Sequence, residues 1–488
     1  MTEINDTNAL VIPPEPRFMG LLSKHDGWYA GAEPKNTGNN PVLVFVPGLG
    51  QPAKSFWDKG ELYGVNHLYT MAFNDGFRTA FAGFIWFGDK PNDMWVDGKL
   101  LSLQLKEICS YYKTESVIII AHSKGGVDAQ TAVVYYGAAP MVRRIITLST
   151  PHWGSQLANL AYSSVGWPIA DIMGQHSEGC FCMQTSYMSD YRRKTDSNVN
   201  NSVPIQTFAG SGDAPFFTDL WAGRQVLLQN GENDGVVTVK SANNPKGQHI
   251  GTLPLNHIQI QNGEFIWQSL KALICNQPQL VLLPAVSTKR FGVVLRGTGL
   301  NAAAADEEFM TELGVTALEI VISSGVSQAS KSDFVLITPD GKNNTSFDSH
   351  EGIGGIKFSH LKIENPQAGK WSIKAPKGLA YLAVISLFGS FALYPDELNE
   401  AGQEGKGIKD LEIIMRVIKT YPDRYEVVSE QRLYPDEKAP VLSFDDGYYS
   451  LETTVHGELE NGSFFQRNGV RPFIVNKNSN ISIGGRTL

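Results

Sequence analysis

Short apolar runs without polar alternation recur through the first half of the chain. They lie at 41–47 (PVLVFVP), 78–84 (RTAFAGF), 115–121 (ESVIIIA), 142–149 (VRRIITLS) and 203–209 (VPIQTFA). Strands covered on both faces carry such runs, because neither side meets water. Between them, 99–112 and 126–139 place apolar residues at helical spacing. This βαβα alternation predicts a doubly wound, mostly parallel α/β sheet.

After Asn276 helical spacing becomes scarce. QPQLVLLP (277–284) reads as a linker or first strand. Further strands are expected at 291–297, 316–323, in DFVLIT, and at 356–363, 411–421, 425–434 and 448–457. In the last of these, Leu451, Thr453 and Val455 alternate with Glu452, Thr454 and His456, which predicts one buried and one wet face. Regular short strands separated by turn chemistry suggest one or two β-sandwiches. The expected domains are a catalytic unit over 1–276, a β-sandwich over 277–396, and a second β-rich domain or continuation over 397–488. The polar, glycine-rich stretch 396–407 marks the last boundary.

A length of 488 residues exceeds what one ordinary core needs, in keeping with several domains. Hydrophobic residues at 42% and charged residues at 18% are the balance of a globular chain. The formal net charge of -8, with no basic cluster to offset it, argues against a nucleic-acid partner. The uncharged run Gly378 to Tyr394 is short for a membrane span and is interrupted by Gly389-Ser390, so buried strands are expected there and no transmembrane segment. The N-terminus shows neither a basic nor an apolar leader region, so residence in the cytoplasm or non-classical export is the expectation. Of the four cysteines, only Cys180 and Cys182 are close, in a C-x-C spacing with no zinc or redox precedent, so ordinary thiols are expected. Nothing in the sequence specifies an oligomeric state.

The strongest chemical signal is Ala121-His122-Ser123-Lys124-Gly125-Gly126, directly after the run VIII. A nucleophile on a sharp strand-to-helix turn needs small residues two positions to either side, because the two backbones approach closely. Ala121 and Gly125 supply them, and Ser123 is then pushed out at the carboxyl edge of the sheet.

A serine hydroxyl needs a base, and the base needs an orienting acid. With the order nucleophile, acid, histidine, two histidines are suitably placed, His249 and His257. His257 in LPLNHIQI follows the run expected to form the last strand, and His249 precedes it. For the acid, Asp234 in ENDGVV and Asp213 in AGSGD each follow an apolar segment. His257 and Asp234 are the preferred pair.

The set VFVPGLG, AHSKGG, LSTPHWGS, ENDGVVTVKSA and LPLNHIQI resembles the bacterial lipase and esterase branch of the α/β-hydrolases over about residues 41–270. The resemblance implies Ser123 as nucleophile, Asp234 as acid and His257 as base. It also implies an oxyanion hole formed by the backbone N–H groups of Leu49 and Lys124. Three departures stand out. Pro47 precedes Gly48 where the family usually has histidine, so the anchoring of that loop must differ. Lys124 follows the nucleophile where an uncharged residue is commoner; its ammonium would favour an anionic substrate or reach solvent. Ile258-Gln259-Ile260 lacks the aspartate that helps bind calcium in several lipases, so no metal site is expected.

An insertion at about 155–222 is too long for a simple loop, and similar insertions in lipase-like proteins cover the site and bind acyl chains. Trp153, Phe216, Phe217 and Trp221 are the candidate substrate contacts. In the C-terminal half, FVLITPDGK and ENPQAGKWSIKAP resemble β-sandwich modules appended to secreted hydrolases and adhesive domains. The expectation is a cofactor-free serine carboxylic-ester hydrolase acting on hydrophobic esters, at a lipid–water interface among other settings. The alternatives are an amidase, acyltransferase or polyester depolymerase with the same triad, or a β-sandwich binding protein with a degenerate hydrolase domain.

Overall fold

The computed structural model describes residues 10–20, 27–60, 62–84, 90–276, 291–298, 306–325, 334–344, 346–352, 356–389, 408–434 and 444–476, with two short paired strands at 482–483 and 486–487. The expected linker 277–284 and the boundary 396–407 lie outside the described residues.

The first half is built on eight strands: β1 (Arg17–Gly20), β2 (Gly27–Ala30), β3 (Leu43–Val46), β4 (Thr79–Ala82), β5 (Val117–His122), β6 (Val142–Leu148), β7 (Ile205–Gly210) and β8 (Gln248–Leu253). Their order across the sheet is β1-β2-β4-β3-β5-β6-β7-β8. The two outermost pairings at the β1 edge are antiparallel, and every pairing from β4 to β8 is parallel. Four helices cover the sheet: α1 (Leu68–Asn74), α2 (Met94–Tyr112), α3 (Gly125–Tyr135) and α4 (Gly263–Ile274).

The unbroken apolar strands follow from this two-sided cover. Val44, Val46, Ile119 and Ala121 pack with Leu101, Leu105 and Ala129 of α2 and α3. Their neighbours Leu43, Phe45, Ile118 and Ile120 face the other way, onto Leu68 of α1 and Trp267 and Leu270 of α4. Successive strand residues point to opposite faces, and both faces are dry. Each such side chain contributes about 1.5–3 kcal/mol on burial.

By compactness the chain divides into two units. One comprises Met1–Trp153, Tyr191–Asp213 and Val237–Ala285; the other comprises Gly154–Asp190, Ala214–Val236 and Val286–Leu488. The inserted segments, read from sequence as part of the catalytic domain, therefore group with the C-terminal strands. The physical reason is apolar burial: Leu160, Ile169 and Val226 of the insertions share a cluster with Val293, Leu295, Leu382 and Val384.

Within this second unit lie β9 (Phe291–Thr298), β10 (Asp306–Thr311), β11 (Ala317–Gly325), β12 (Val335–Ile337), β13 (Asp348–Glu351), β14 (Ile356–Glu364), β15 (Gly369–Lys374) and β16 (Tyr381–Phe388). Strands β9-β16-β11-β14-β13 form one sheet, and β10-β15-β12 with the short Asn343–Asn344 strand form another. Leu318, Ile320, Tyr381 and Ile385 from the first meet Phe309, Leu336, Trp371 and Ile373 from the second. This is a β-sandwich core. A separate sheet, β18-β17-β19-β20, joins β17 (Ile408–Thr420), β18 (Tyr425–Leu433), β19 (Gly447–Leu459) and β20 (Phe464–Val475).

Among the strands that escape the sequence pattern are Arg17–Gly20, Gly27–Ala30, Asp306–Thr311, Asp348–Glu351, Gly369–Lys374 and Phe464–Val475. Asp306–Thr311 and Gly369–Lys374 are mostly polar, and Phe464–Val475 carries Gly469 and Pro472. The expected wet face of β19 also needs correction. Glu452 is largely covered, and its carboxylate accepts the Ser164 backbone N–H and hydroxyl, each at 2.5 Å. The uncharged run 378–394 supplies β16, buried between β9 and β11; its last residues lie outside the described set. Among the described residues no helix is long and apolar enough to cross a membrane.

Candidate active site

β5 ends at His122 and α3 starts at Gly125, so Ser123 and Lys124 make the whole turn. Ser123 takes φ +53, the left-handed region that a non-glycine residue occupies only when its surroundings enforce it. The enforcement is steric. A Cβ on Gly125 would lie 2.4 Å from the Pro47 carbonyl oxygen, and one on Gly126 would lie 2.2 Å from Thr150 Oγ1. The Ser123 N–H is also held by the Leu148 carbonyl at 2.9 Å.

His257 lies four residues beyond the end of β8, on a turn held by its neighbour Asn256. The Asn256 side chain accepts the N–H groups of Ile258 at 3.2 Å and Gln259 at 3.0 Å, and donates to the Asp213 carbonyl at 2.9 Å. This seats His257 Nε2 3.0 Å from Ser123 Oγ, with both side chains buried. At that distance an imidazole can take the hydroxyl proton. The rival His249 lies near the start of β8, opposite the carboxyl edge, and contacts Thr207 and Thr252.

Asp234 is fully buried, and its Oδ1 accepts the Val236 N–H at 2.9 Å. Asp213 is exposed. Burial without water favours a carboxylate that is committed to polar partners.

The loop after β3 is anchored in a way the sequence left open. Gly48 N–H donates to Gln51 Oε1 at 3.2 Å, and Gln51 N–H donates to the Gly48 carbonyl at 3.1 Å. His122 Nδ1 lies 2.9 Å from the same Gln51 oxygen, while His122 Nε2 donates to the His257 carbonyl at 2.8 Å. A side chain at Gly48 would put its Cβ 2.8 Å from Ser123 Cβ, so the backbone bearing Leu49 runs directly against Ser123.

Lys124 behaves unlike either sequence expectation. Its ammonium is buried, 2.8 Å from Asp97 Oδ2 on α2 and 2.7 Å from Asp128 Oδ1 on α3. It neither reaches solvent nor points at an anionic substrate. Burial holds the Asp128 carboxyl well above the usual carboxylate range; Lys124 opposes that rise and Asp97 adds to it. The Lys124–Asp128 part is an i,i+4 pair and was open to view in the sequence. Asp97, Gln51 and His122 carried no such signal, because their partners are distant along the chain.

Phe216, Phe217 and Trp221 form one aromatic cluster, with Phe216–Trp221 centroids 5.4 Å and Phe217–Trp221 centroids 5.5 Å apart. The cluster rests on the β-sandwich: Phe217 lies 4.3 Å from the His350 ring and Trp221 lies 5.3 Å from His360. Trp153 belongs to the other unit, where its N–H donates to Ser241 Oγ at 3.3 Å. The four cysteines are free thiols. Among the described residues no group of three or more histidine, cysteine or acidic side chains is arranged to hold a metal.

A family model, the PGAP1-like α/β domain, matches residues 92–164, the segment from α2 through the Ser123–Lys124 turn into the first inserted segment. Among solved structures, the chain is similar to the Bacillus licheniformis lipase BlEst2 in its propeptide form. Identity is 28% and the TM-score 0.80, covering 92% of this chain and 97% of that one. The mature form of the same lipase is 34% identical with a TM-score of 0.47, covering 51% of this chain and 97% of that one. No curated protein matches the chain.

Proposed function

Because the chain belongs to the lipase and esterase branch of the α/β-hydrolase superfamily, we propose that it hydrolyses carboxylic esters through a serine acyl-enzyme. The observation that carries this reading is Ser123 Oγ at 3.0 Å from His257 Nε2, on a turn held at positive φ. Ser123 attacks the ester carbonyl as His257 takes its proton. Asp234 orients the imidazolium, a role supported by its burial and its position 23 residues before the histidine. The backbone N–H groups of Leu49 and Lys124 receive the oxyanion. The alkoxide leaves with the proton from His257, and water then releases the acid by the same route in reverse. Hydrophobic esters are the preferred substrates, with Trp153, Phe216, Phe217 and Trp221 as acyl-chain contacts.

The test is hydrolysis of p-nitrophenyl esters from acetate to palmitate by wild type and Ser123→Ala. Wild type is expected to turn over, and the variant to lose about 10³-fold or more in kcat. The chain-length profile then separates esterase from lipase. Activity kept by Ser123→Ala overturns the reading. Turnover of amides in place of esters assigns the same site to an amidase.

We further read the C-terminal half as a propeptide-like restraint. In support, the chain spans nearly all of the propeptide form of the Bacillus licheniformis lipase. The insertions also share their apolar burial with the C-terminal strands. Limited proteolysis that removes this half is expected to raise ester turnover; an unchanged rate in a fully cut sample overturns this part.

A further inference from the structure

We propose that Asp97 and Asp128 are positioning residues for the oxyanion hole, gripping the Lys124 ammonium from two helices and so fixing the Ser123–Lys124 peptide. The inference rests on the reading of Ser123 as nucleophile and of the Lys124 N–H as an oxyanion donor.

Lys124 is the residue whose backbone faces the reaction and whose side chain turns the other way. Its Nζ meets Asp97 on α2 at 2.8 Å and Asp128 on α3 at 2.7 Å, all three side chains being almost wholly buried. The grip is itself braced. Asn92 Nδ2 donates to the second oxygen of Asp97 at 2.9 Å. A Cβ on Gly98 of α2 would lie 2.9 Å from Thr131 of α3, so the two helices approach too closely for Asp97 to drift.

Stability alone does not account for this arrangement. Taking three charged groups out of water costs more than their attraction commonly returns, and apolar side chains of the same volume would fill the space at lower cost. What the ion pairs add is direction. A flexible lysine held at its far end by two fixed carboxylates leaves its own backbone little freedom. That matters here because Ser123 is in a backbone conformation that persists only under such constraint. Oxyanion donors act through placement within a few tenths of an ångström, so a relaxed turn would lower the rate of chemistry while leaving ester binding alone.

The test is the neutral triple variant Lys124→Met with Asp97→Asn and Asp128→Asn, measured for kcat, KM and melting temperature beside Ser123→Ala. The triple variant is expected to melt within about 5 °C of wild type, to lose about tenfold to hundredfold in kcat, and to keep KM within about threefold. A wild-type kcat in the folded triple variant overturns the proposal. Should that variant fail to fold, Asp97→Asn, which keeps the Lys124–Asp128 pair, is expected to lose about threefold to tenfold in kcat at unchanged KM; an unaltered kcat there overturns the proposal as well. Activity remaining in Ser123→Ala instead overturns the underlying reading of the nucleophile, so the two failures are distinct.

Discussion

Gln51 and His122 meet at 2.9 Å, oxygen to Nδ1, and so connect the loop bearing Leu49 to the strand that presents Ser123. The connection continues from His122 Nε2 to the carbonyl of His257 at 2.8 Å. One buried imidazole thus ties together the loop bearing Leu49, the strand before Ser123 and the turn that carries His257. These contacts anchor the loop in which Pro47 precedes Gly48.

Gln51→Leu keeps the volume and removes the side-chain acceptor of the Gly48 N–H together with the polar contact to His122. The expected result is a fall of about tenfold or more in kcat with little change in KM, read from p-nitrophenyl ester kinetics. Gln51→Glu restores an acceptor for the Gly48 N–H and is expected to keep most of the rate. Equal rates in the leucine and glutamate variants would sink this account of the loop.

The two candidate acids are separable by the same assay. On the proposed mechanism, in which Asp234 is the orienting acid, Asp234→Asn is expected to lower kcat by about 10²-fold to 10⁴-fold. Asp213→Asn, at an exposed site whose backbone carbonyl makes the contact with Asn256, is expected to stay within about twofold of wild type. The reverse pattern would transfer the role to Asp213.

His152 is wholly buried, and burial, helped by the nearby Arg192, pushes its pKa well below the ordinary histidine value. Its Nδ1 accepts from Asn244 Nδ2 at 3.1 Å, leaving Nε2 beside Thr147 Oγ1 at 3.3 Å. The neutral ring therefore suits the fold, and the unfolded chain binds the proton more readily. Stability from this group is present above pH about 6.5 and is lost as the pH falls below it, by at most about 1.4 kcal/mol per pH unit. Urea midpoints at pH 5 to 8 are expected to fall on the acid side in wild type and to fall less in His152→Gln. Parallel curves for the two proteins would remove His152 from the acid response.

Arg467 and Glu312 form a buried pair in the C-terminal half, with Arg467 Nη1 also 3.4 Å from Glu312 Oε2. Arg467→Met strands the carboxylate and is expected to cost about 3–5 kcal/mol. Adding Glu312→Leu is expected to return most of that loss. A double variant no more stable than the single, by denaturant midpoint, would refute the pairing as the cause.

The parallel sheet was legible in the sequence because two-sided burial leaves unbroken apolar runs, and the turn at Ser123 because it demands small residues at Ala121 and Gly125. Order along the chain left His249 beside His257 and Asp213 beside Asp234 as candidates. Strands such as Asp306–Thr311, with few buried side chains, left little pattern to read.

What only the tertiary structure decided is which distant residues share a buried space. Local spacing says nothing of Asp97 meeting Lys124, of Gln51 meeting His122, or of the insertions joining the C-terminal strands in one unit. A side chain's periodicity records whether it is wet or dry. Its partner is set by how helices and strands far apart in sequence pack, and that information first exists in the folded chain.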